Sequence, residues 1–298
     1  MKYRSCFSFA IPLVVLIVAV FGYSQVEPKP GTEPGTVTLF PPLAQWREAV
    51  LAGDSVGLKV LYSTTPAARV ITPSGETNAD AEISFWSGLR ARNIKLEMLA
   101  SPSTPSGVQQ VVMQADVLSA TPAGDKMVYV TQAQVWQKQG ENWRLVAVKR
   151  TDPASLQQPA STATEIYPAV ADAHAEIKKA EELAARDHKR VLIVFGANWC
   201  YDCHVLDLAF HREDLVPVLT KNYEVVHVDV GKGDKNQDLM KQYGVPMDRG
   251  IPGLAVLESD GKVVYSQKNG EFENARSLTP EALLQFLNQW KPAERQSE

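Results

Sequence analysis

Two cysteines spaced C-x-x-C, Cys200 and Cys203, are the residues whose types and spacing are best suited to chemistry. Only the thiolate of a cysteine attacks a disulfide, and a second thiol one helical turn away can displace the partner from the mixed disulfide. The third cysteine, Cys6, lies in an amino-terminal segment that we expect to be removed. A structural disulfide usually closes a longer loop, so this spacing favours a redox-active pair.

The histidine after the pair, His204, leaves two alternatives open. Cys200-Tyr-Asp-Cys203-His204 also has the C-x-x-C-H pattern of covalent haem attachment. Haem would require His204 as an axial ligand in a mainly helical shell, whereas an apolar strand runs directly into this motif. A zinc site from the two cysteines, His204 and His211 would have poor tetrahedral spacing. We therefore expect no metal and no cofactor besides the Cys200–Cys203 disulfide, with His204 on a helix surface.

The elements around the cysteines form an alternating pattern over residues 169–292. The apolar run 191–195 predicts a central strand buried on both faces. This strand delivers Cys200 to the first turn of a helix, where free amide groups and the helix dipole stabilise a thiolate. The other predicted elements are helices at 169–188, from Asn236 to Gly244 and after Thr279, with strands at 223–230, 254–257 and 263–265. The order is α-β-α-β-α-β-β-α.

Two motifs in this half carry a family resemblance. The run from Val191 through Trp199-Cys-Tyr-Asp-Cys203 resembles a thioredoxin first strand entering its Trp-Cys-x-x-Cys active site. Gly250-Ile-Pro-Gly253 resembles the thioredoxin loop that bears a cis-proline. The C-terminal half is thus identified as a member of the thioredoxin-like superfamily, which implies an α/β thioredoxin fold. Cys200 is then the expected nucleophile and Cys203 the expected resolving thiol.

The resemblance also implies roles for residues beside the pair. Pro252 is expected to be the cis-proline that faces the disulfide, which leaves the backbone of Ile251 free to pair with an extended substrate. Trp199 is expected to pack beside the site and shield it. These residues, with the dipeptide Tyr201-Asp202, are the predicted substrate-binding and supporting residues.

The chain departs from the thioredoxin pattern at two places. Val194 stands where thioredoxins carry a buried aspartate that helps deprotonate the resolving thiol, so another group or water must take that proton. Tyr201-Asp202 replaces the Gly-Pro of thioredoxins. A carboxylate beside Cys200 disfavours its thiolate and makes the pair a weaker oxidant unless it turns into solvent. We therefore expect a reductase or isomerase rather than an enzyme that forms disulfides de novo.

The N-terminal half, residues 43–151, has a different pattern. Helical spacing at 43–51, 56–62 and 79–90 precedes strand-like runs at 111–117, 127–136 and 143–148, which predicts an α+β domain. The element order and the ending Val-Trp-Gln-Lys…Asn-Trp-Arg-Leu-Val resemble the SnoaL-like or NTF2-like family. The resemblance implies a cone of helices over a curved sheet that encloses a pocket.

No catalytic residue can be assigned in this half. All five histidines and both remaining cysteines lie outside it, which argues against a metal site or a histidine-based acid–base pair. Asp80, Asp116 and Tyr129 could line a pocket, although a structural role is favoured for each. A small ligand or a dimer contact are the partners expected for this half.

The N-terminal segment predicts export. Lys2 and Arg4 precede an apolar run at 11–21 and small residues, as in a signal peptide spanning 1–24. An uncleaved membrane anchor is the alternative. Proline and glycine mark a tether at 25–42, a second break gives a linker at 152–168, and 293–298 form a tail.

Composition and charge are those of an ordinary globular protein. The chain is 45% hydrophobic and 21% charged with a net charge of −4, which suits two globular domains and gives no sign of a nucleic-acid partner. We expect a periplasmic or extracellular thiol–disulfide oxidoreductase that acts on protein thiols and disulfides with an unidentified electron donor or acceptor. The alternative is a redox-responsive ligand-binding protein without turnover.

Overall fold

The computed structural model describes residues 39–293, which form two halves, each with helices packed on a β-sheet. The predicted signal peptide, the tether up to residue 38 and the tail from residue 294 lie outside the described residues. The tether ends earlier than expected, because a helix already begins at Pro41. Proline suits this first turn, where its missing N–H would have no partner within the helix.

The N-terminal half packs three helices on a six-stranded sheet. The sheet order is β2-β1-β6-β5-β4-β3, antiparallel except where β1 runs parallel to β6. The helices are α1 (Pro41–Ala52), α2 (Ser55–Leu61) and α3 (Ala79–Gly88). The strands are β1 (Arg69–Thr72), β2 (Gly75–Thr77), β3 (Ala91–Ala100), β4 (Val108–Thr121), β5 (Gly124–Gln139) and β6 (Asn142–Arg150).

Aromatic side chains between helices and sheet form the core of this half. Trp46 of α1 meets Trp86 of α3 edge to face at 4.8 Å, and Trp136 of β5 is also fully buried. Such large side chains contribute much of the apolar area that a domain of this size buries. The predicted α+β arrangement, with helices packed on a sheet, is confirmed.

Strand β3 is absent from the sequence prediction. Its centre, Lys95-Leu-Glu-Met98, consists of residues that favour helices, although apolar and polar positions alternate along it. β3 is an edge strand that pairs with β4 through Ile94 and Val117. Pairing with a neighbour distant in sequence therefore overrides the local preference.

The C-terminal half has a four-stranded sheet in the order β10-β9-β7-β8. β7 runs parallel to β8 and antiparallel to β9. The strands are β7 (Arg190–Gly196), β8 (Tyr223–Asp229), β9 (Gly253–Leu257) and β10 (Val263–Ser266). The helices are α4 (Ala173–Asp187), α5 (Tyr201–Phe210), α6 (Val216–Asn222), α7 (Gln237–Gln242) and α8 (Pro280–Gln289).

Strand β7 is buried on both faces, as predicted. Val191, Ile193 and Phe195 join one core with α4 and α7, whereas Leu192 and Val194 join the core that contains the two cysteines. Alternation of side chains across the sheet requires this division. The order of elements matches the predicted thioredoxin fold, with the short helix α6 as an addition that the sequence pattern did not reveal.

The segment between the halves packs against both. Ala154 pairs with Tyr129 of β5 in an antiparallel bridge, while Leu156 and Tyr167 are fully buried in the core of the C-terminal half. The predicted linker therefore supplies core residues. Among residues 39–293, no helix has the length and apolar character needed to cross a bilayer.

Candidate functional site

Cys200 and Cys203 form a disulfide at the start of α5. Cys200 is the N-cap of the helix, and its Sγ accepts a hydrogen bond from the amide of Cys203 at 3.1 Å. The two residues are only 5% and 1% exposed. The helix start thus directs its amide groups and the positive end of its dipole at the Cys200 sulfur, which favours a thiolate when the pair is reduced.

The loop before β9 lies across from Cys200. The Ile251–Pro252 peptide bond is cis, and Sγ of Cys200 lies 3.6 Å from the carbonyl oxygen of Ile251. Gln267, which is buried, holds this loop, since its amide donates to the Pro252 oxygen at 3.3 Å and accepts from the Leu254 amide at 3.2 Å. No motif or spacing in the sequence pointed to Gln267.

Trp199 lies at the protein surface beside the pair. Trp199 is 57% exposed, and its indole Nε1 donates a hydrogen bond to the carbonyl oxygen of Gly231 at 2.8 Å. The indole is therefore exposed on its outer side and held in place by this hydrogen bond.

Asp202 points inward and is paired with Arg276. Its Oδ1 accepts from the Arg276 amide and from Nε, each at 3.0 Å, and its Oδ2 contacts Nη2. Asp202 is 8% exposed. The alternative in which Asp202 turns into solvent is therefore wrong, and the sequence did not reveal that Arg276 pairs with it. The guanidinium also lies 5.0 Å from the ring centre of Tyr201.

Tyr201 connects the motif with the segment between the halves. Its hydroxyl donates to Oε1 of Gln158 at 3.2 Å, and Gln158 in turn donates to the carbonyl oxygen of Leu156. Helix α5 is thereby linked to a segment that local patterns marked only as a break.

His204 is buried at 4% exposure rather than placed on a helix surface, so that expectation is wrong. Its Nε2 lies 2.7 Å from the carbonyl oxygen of Asn198, and since a carbonyl can only accept, Nε2 carries the proton. Within residues 39–293, no group of three or more histidine, cysteine or acidic side chains is placed to hold a metal ion.

Asn198 was not singled out from the sequence, yet it organises this region. Its Oδ1 accepts hydrogen bonds from the amides of Ile166 and Tyr167 at 2.9 and 2.8 Å. Its Nδ2 donates to the Tyr167 carbonyl oxygen at 2.9 Å. Asn198 therefore fastens the segment between the halves to the loop that carries the cysteines.

The three polar candidates of the N-terminal half do not meet in one place. Asp80 is exposed and pairs with Lys59. Asp116 and Tyr129 are opposite each other on β4 and β5. Burial raises the pKa of Asp116, opposed by a hydrogen bond from Gln114. Burial likewise raises the pKa of Tyr129, while the guanidinium of Arg212 in the other half opposes that shift.

A buried polar network occupies the interior of the N-terminal half instead. Glu82 is fully buried, pairs with Arg150 at 2.8 Å and accepts hydrogen bonds from Trp86 and Gln132. Gln134 extends the network by donating to Gln132 at 2.8 Å. The alternation of Gln132 and Gln134 on β5 was the available signal, because both side chains must then lie on the same sheet face.

Comparisons with known proteins place a family match on the C-terminal half. Residues 172–258 match the family described as Thioredoxin-like. This range contains the disulfide and the Ile251–Pro252 loop. Together with the observed element order, the match makes the C-terminal half a thioredoxin-like domain. No curated protein is similar enough to the chain to count as a match.

Solved structures resemble each half separately. A disulphide isomerase from Xylella fastidiosa is 41% identical, with a TM-score of 0.41, over 43% of this chain and 97% of its own. An NTF2-like protein of unknown function from Rhodospirillum rubrum is 19% identical, with a TM-score of 0.32, over 37% of this chain and 93% of its own. A second NTF2-like protein, from Cytophaga hutchinsonii, is 16% identical, with a TM-score of 0.32, over 37% and 92%.

Proposed function

We propose that this chain is an exported thiol–disulfide oxidoreductase that works through Cys200 and Cys203. One observation carries the proposal: the cysteine pair lies at the N-terminus of α5, directly opposite the backbone of Ile251. Thiolate stabilisation at a helix start activates a cysteine for disulfide exchange, and the backbone of Ile251 lies where an extended substrate would reach the pair. Trp199 and Tyr201 flank Cys200 in the chain, and Pro252 lies in the loop that faces it.

In the proposed reaction, reduced Cys200 attacks a substrate disulfide as a thiolate. One substrate sulfur leaves as a thiolate, and the other becomes joined to Cys200. Cys203 then attacks the Cys200 sulfur, the second substrate thiol departs, and the Cys200–Cys203 disulfide forms. Two electrons pass from the protein to the substrate, and a separate donor must return them for the next cycle.

Reduction or isomerisation of protein disulfides is the proposed direction. Asp202 keeps a carboxylate in the first turn of α5, where it competes with the Cys200 thiolate for the positive end of the helix. Its pairing with Arg276 offsets part of this competition. A reduction potential nearer about −270 mV than about −120 mV is therefore expected.

The test is turnover of insulin disulfides with dithiothreitol. Wild type should accelerate the reaction, and Cys200→Ser should abolish it. Cys203→Ser should instead accumulate a mixed disulfide with the substrate, because the resolving thiol is missing. If wild type gives no turnover while its cysteines still oxidise and reduce, the redox-responsive binding protein becomes the better description. A covalent haem band in the absorption spectrum would contradict both.

Export is proposed from Lys2, Arg4 and the apolar run that follows them. The measurement is the amino-terminal sequence of the protein recovered from an exporting host. A start at Gln25 would support a cleaved signal and a periplasmic or extracellular location. A retained Met1 in the membrane fraction would support the anchored form.

A further inference from the structure

Tyr167, in the segment that joins the two halves, is a buried polar residue without an evident structural reason. It is 1% exposed, and its hydroxyl has no hydrogen-bond partner within residues 39–293. A buried hydroxyl that lacks a partner destabilises the folded protein, so natural structures contain few of them. Its position points to a hydrogen-bond acceptor that is present only when the Cys200–Cys203 disulfide is reduced.

The hydroxyl lies next to the resolving cysteine. A Cβ atom added at Gly196, the last residue of β7, would overlap Tyr167 Oη and lie 2.8 Å from Sγ of Cys203. The oxygen and the sulfur therefore border the same small space, which is open only because residue 196 has no side chain. The Asn198 side chain fixes the backbone of Ile166 and Tyr167 with three hydrogen bonds, two of them to Tyr167.

The surroundings of Tyr167 keep its proton in place. Burial raises the pKa of its hydroxyl, and the carboxylates of Asp207 and Asp229 raise it further. The ring of His227 packs against it edge to face at 5.2 Å. At neutral pH this hydroxyl is therefore protonated and available as a hydrogen-bond donor.

We propose, on the basis of the function proposed above, that the Tyr167 hydroxyl donates a hydrogen bond to the Cys203 thiolate in the reduced protein. Val194 provides no polar group on the strand beneath the pair. When Cys203 attacks the mixed disulfide, the Cys200–Cys203 bond forms, the bond to the substrate breaks, and the departing substrate thiolate takes its proton from water. The Tyr167 donor then loses its acceptor, as observed with the disulfide in place.

The donor should accelerate the resolving step. If the hydrogen bond raises the thiolate fraction of Cys203 tenfold, the intrinsic nucleophilicity of that thiolate falls by only about threefold, because the Brønsted coefficient is about 0.4 to 0.5. The rate of the resolving step therefore rises. The donor should also stabilise the dithiol relative to the disulfide, since the hydrogen bond exists only in the reduced state.

The experiment is Tyr167→Phe in the full chain, equilibrated with glutathione buffers. We expect about a three- to tenfold shift of the equilibrium toward the disulfide, the size of one hydrogen bond to a charged or polarisable acceptor. This corresponds to a potential more negative by about 14 to 30 mV, at about 30 mV per tenfold. The thermal midpoint should fall in the reduced protein, which loses the hydrogen bond, and should stay equal or rise in the oxidised protein, which loses only an unpartnered hydroxyl.

The matched control is Tyr223→Phe. Tyr223 is buried in the same core, but its hydroxyl donates to the carbonyl oxygen of Leu287. This variant should lower the midpoint equally in both redox states without changing the potential. The inference is overturned if Tyr167→Phe also acts equally on both states, or changes the equilibrium less than twofold. These readouts need no substrate, so absence of insulin turnover in wild type would contradict the proposed function separately.

Discussion

At the scale of single residues, the charge beside Cys200 is set by Asp202 together with Arg276. In Arg276→Gln the carboxylate loses its guanidinium partner, so it should disfavour the Cys200 thiolate more strongly and stabilise the disulfide. Because Arg276 is 52% exposed, the effect should be at most about fivefold in the equilibrium with glutathione. The measurement is the reduction potential, which should become more negative.

Two further variants test the direction of this change in reduction potential. Asp202→Asn leaves the guanidinium without its carboxylate and should shift the potential in the opposite direction, to less negative values. Arg186→Gln removes a partner from an exposed pair with Asp187 at the end of α4 and should leave the potential unchanged. A less negative potential in Arg276→Gln would show that the pair acts on the cysteines in another way.

The sequence predicted the cysteine pair and the loop that faces it, but not the residues that hold them. Cys200, Cys203 and Pro252 belong to local motifs, so their types and spacing alone indicated chemistry. Arg276 and Gln267 act through contacts that only the folded chain creates; the hydrogen bonds of Arg276 to Asp202 span 74 positions of sequence. Neither residue stands in a motif, and their partners could not be inferred from spacing.

At the scale of elements, the segment between the halves should contribute directly to the stability of the C-terminal half. Leu156 is fully buried in the core that also holds the cysteines. Leu156→Ala in the full chain should destabilise the protein by about 2 to 5 kcal/mol, the usual cost of such a cavity. Chemical unfolding of the oxidised protein measures it. Val170→Ala is the control, because Val170 is completely exposed and should change stability by less than about 0.5 kcal/mol. Equal effects of both would mean that 156 is not a core position.

Helices and strands with a strong hydrophobic period were predicted from the sequence, whereas segments whose structure depends on packing against distant residues were not. β7 is a short apolar run, and α8 has a Thr279 cap and a regular apolar stripe, so both were found near their observed bounds. α6 has only seven residues and a proline in its first turn, too short for a helical period to stand out. The segment around Leu156 is rich in residues typical of breaks, and only the fold shows that it packs.

At the scale of the whole molecule, the N-terminal half should stabilise the protein without setting the redox chemistry. Glu82→Gln removes the charge that faces Arg150 in a buried pair, which should cost about 3 kcal/mol and lower the thermal midpoint. The potential of the Cys200–Cys203 pair should stay unchanged, because the residues around that pair belong to the connecting segment and the C-terminal half. Glu141→Gln is the control, since this side chain is 96% exposed and should alter neither property. A shifted potential in Glu82→Gln would instead mean that the interior of one half is coupled to the disulfide of the other, as a redox-responsive binding protein requires.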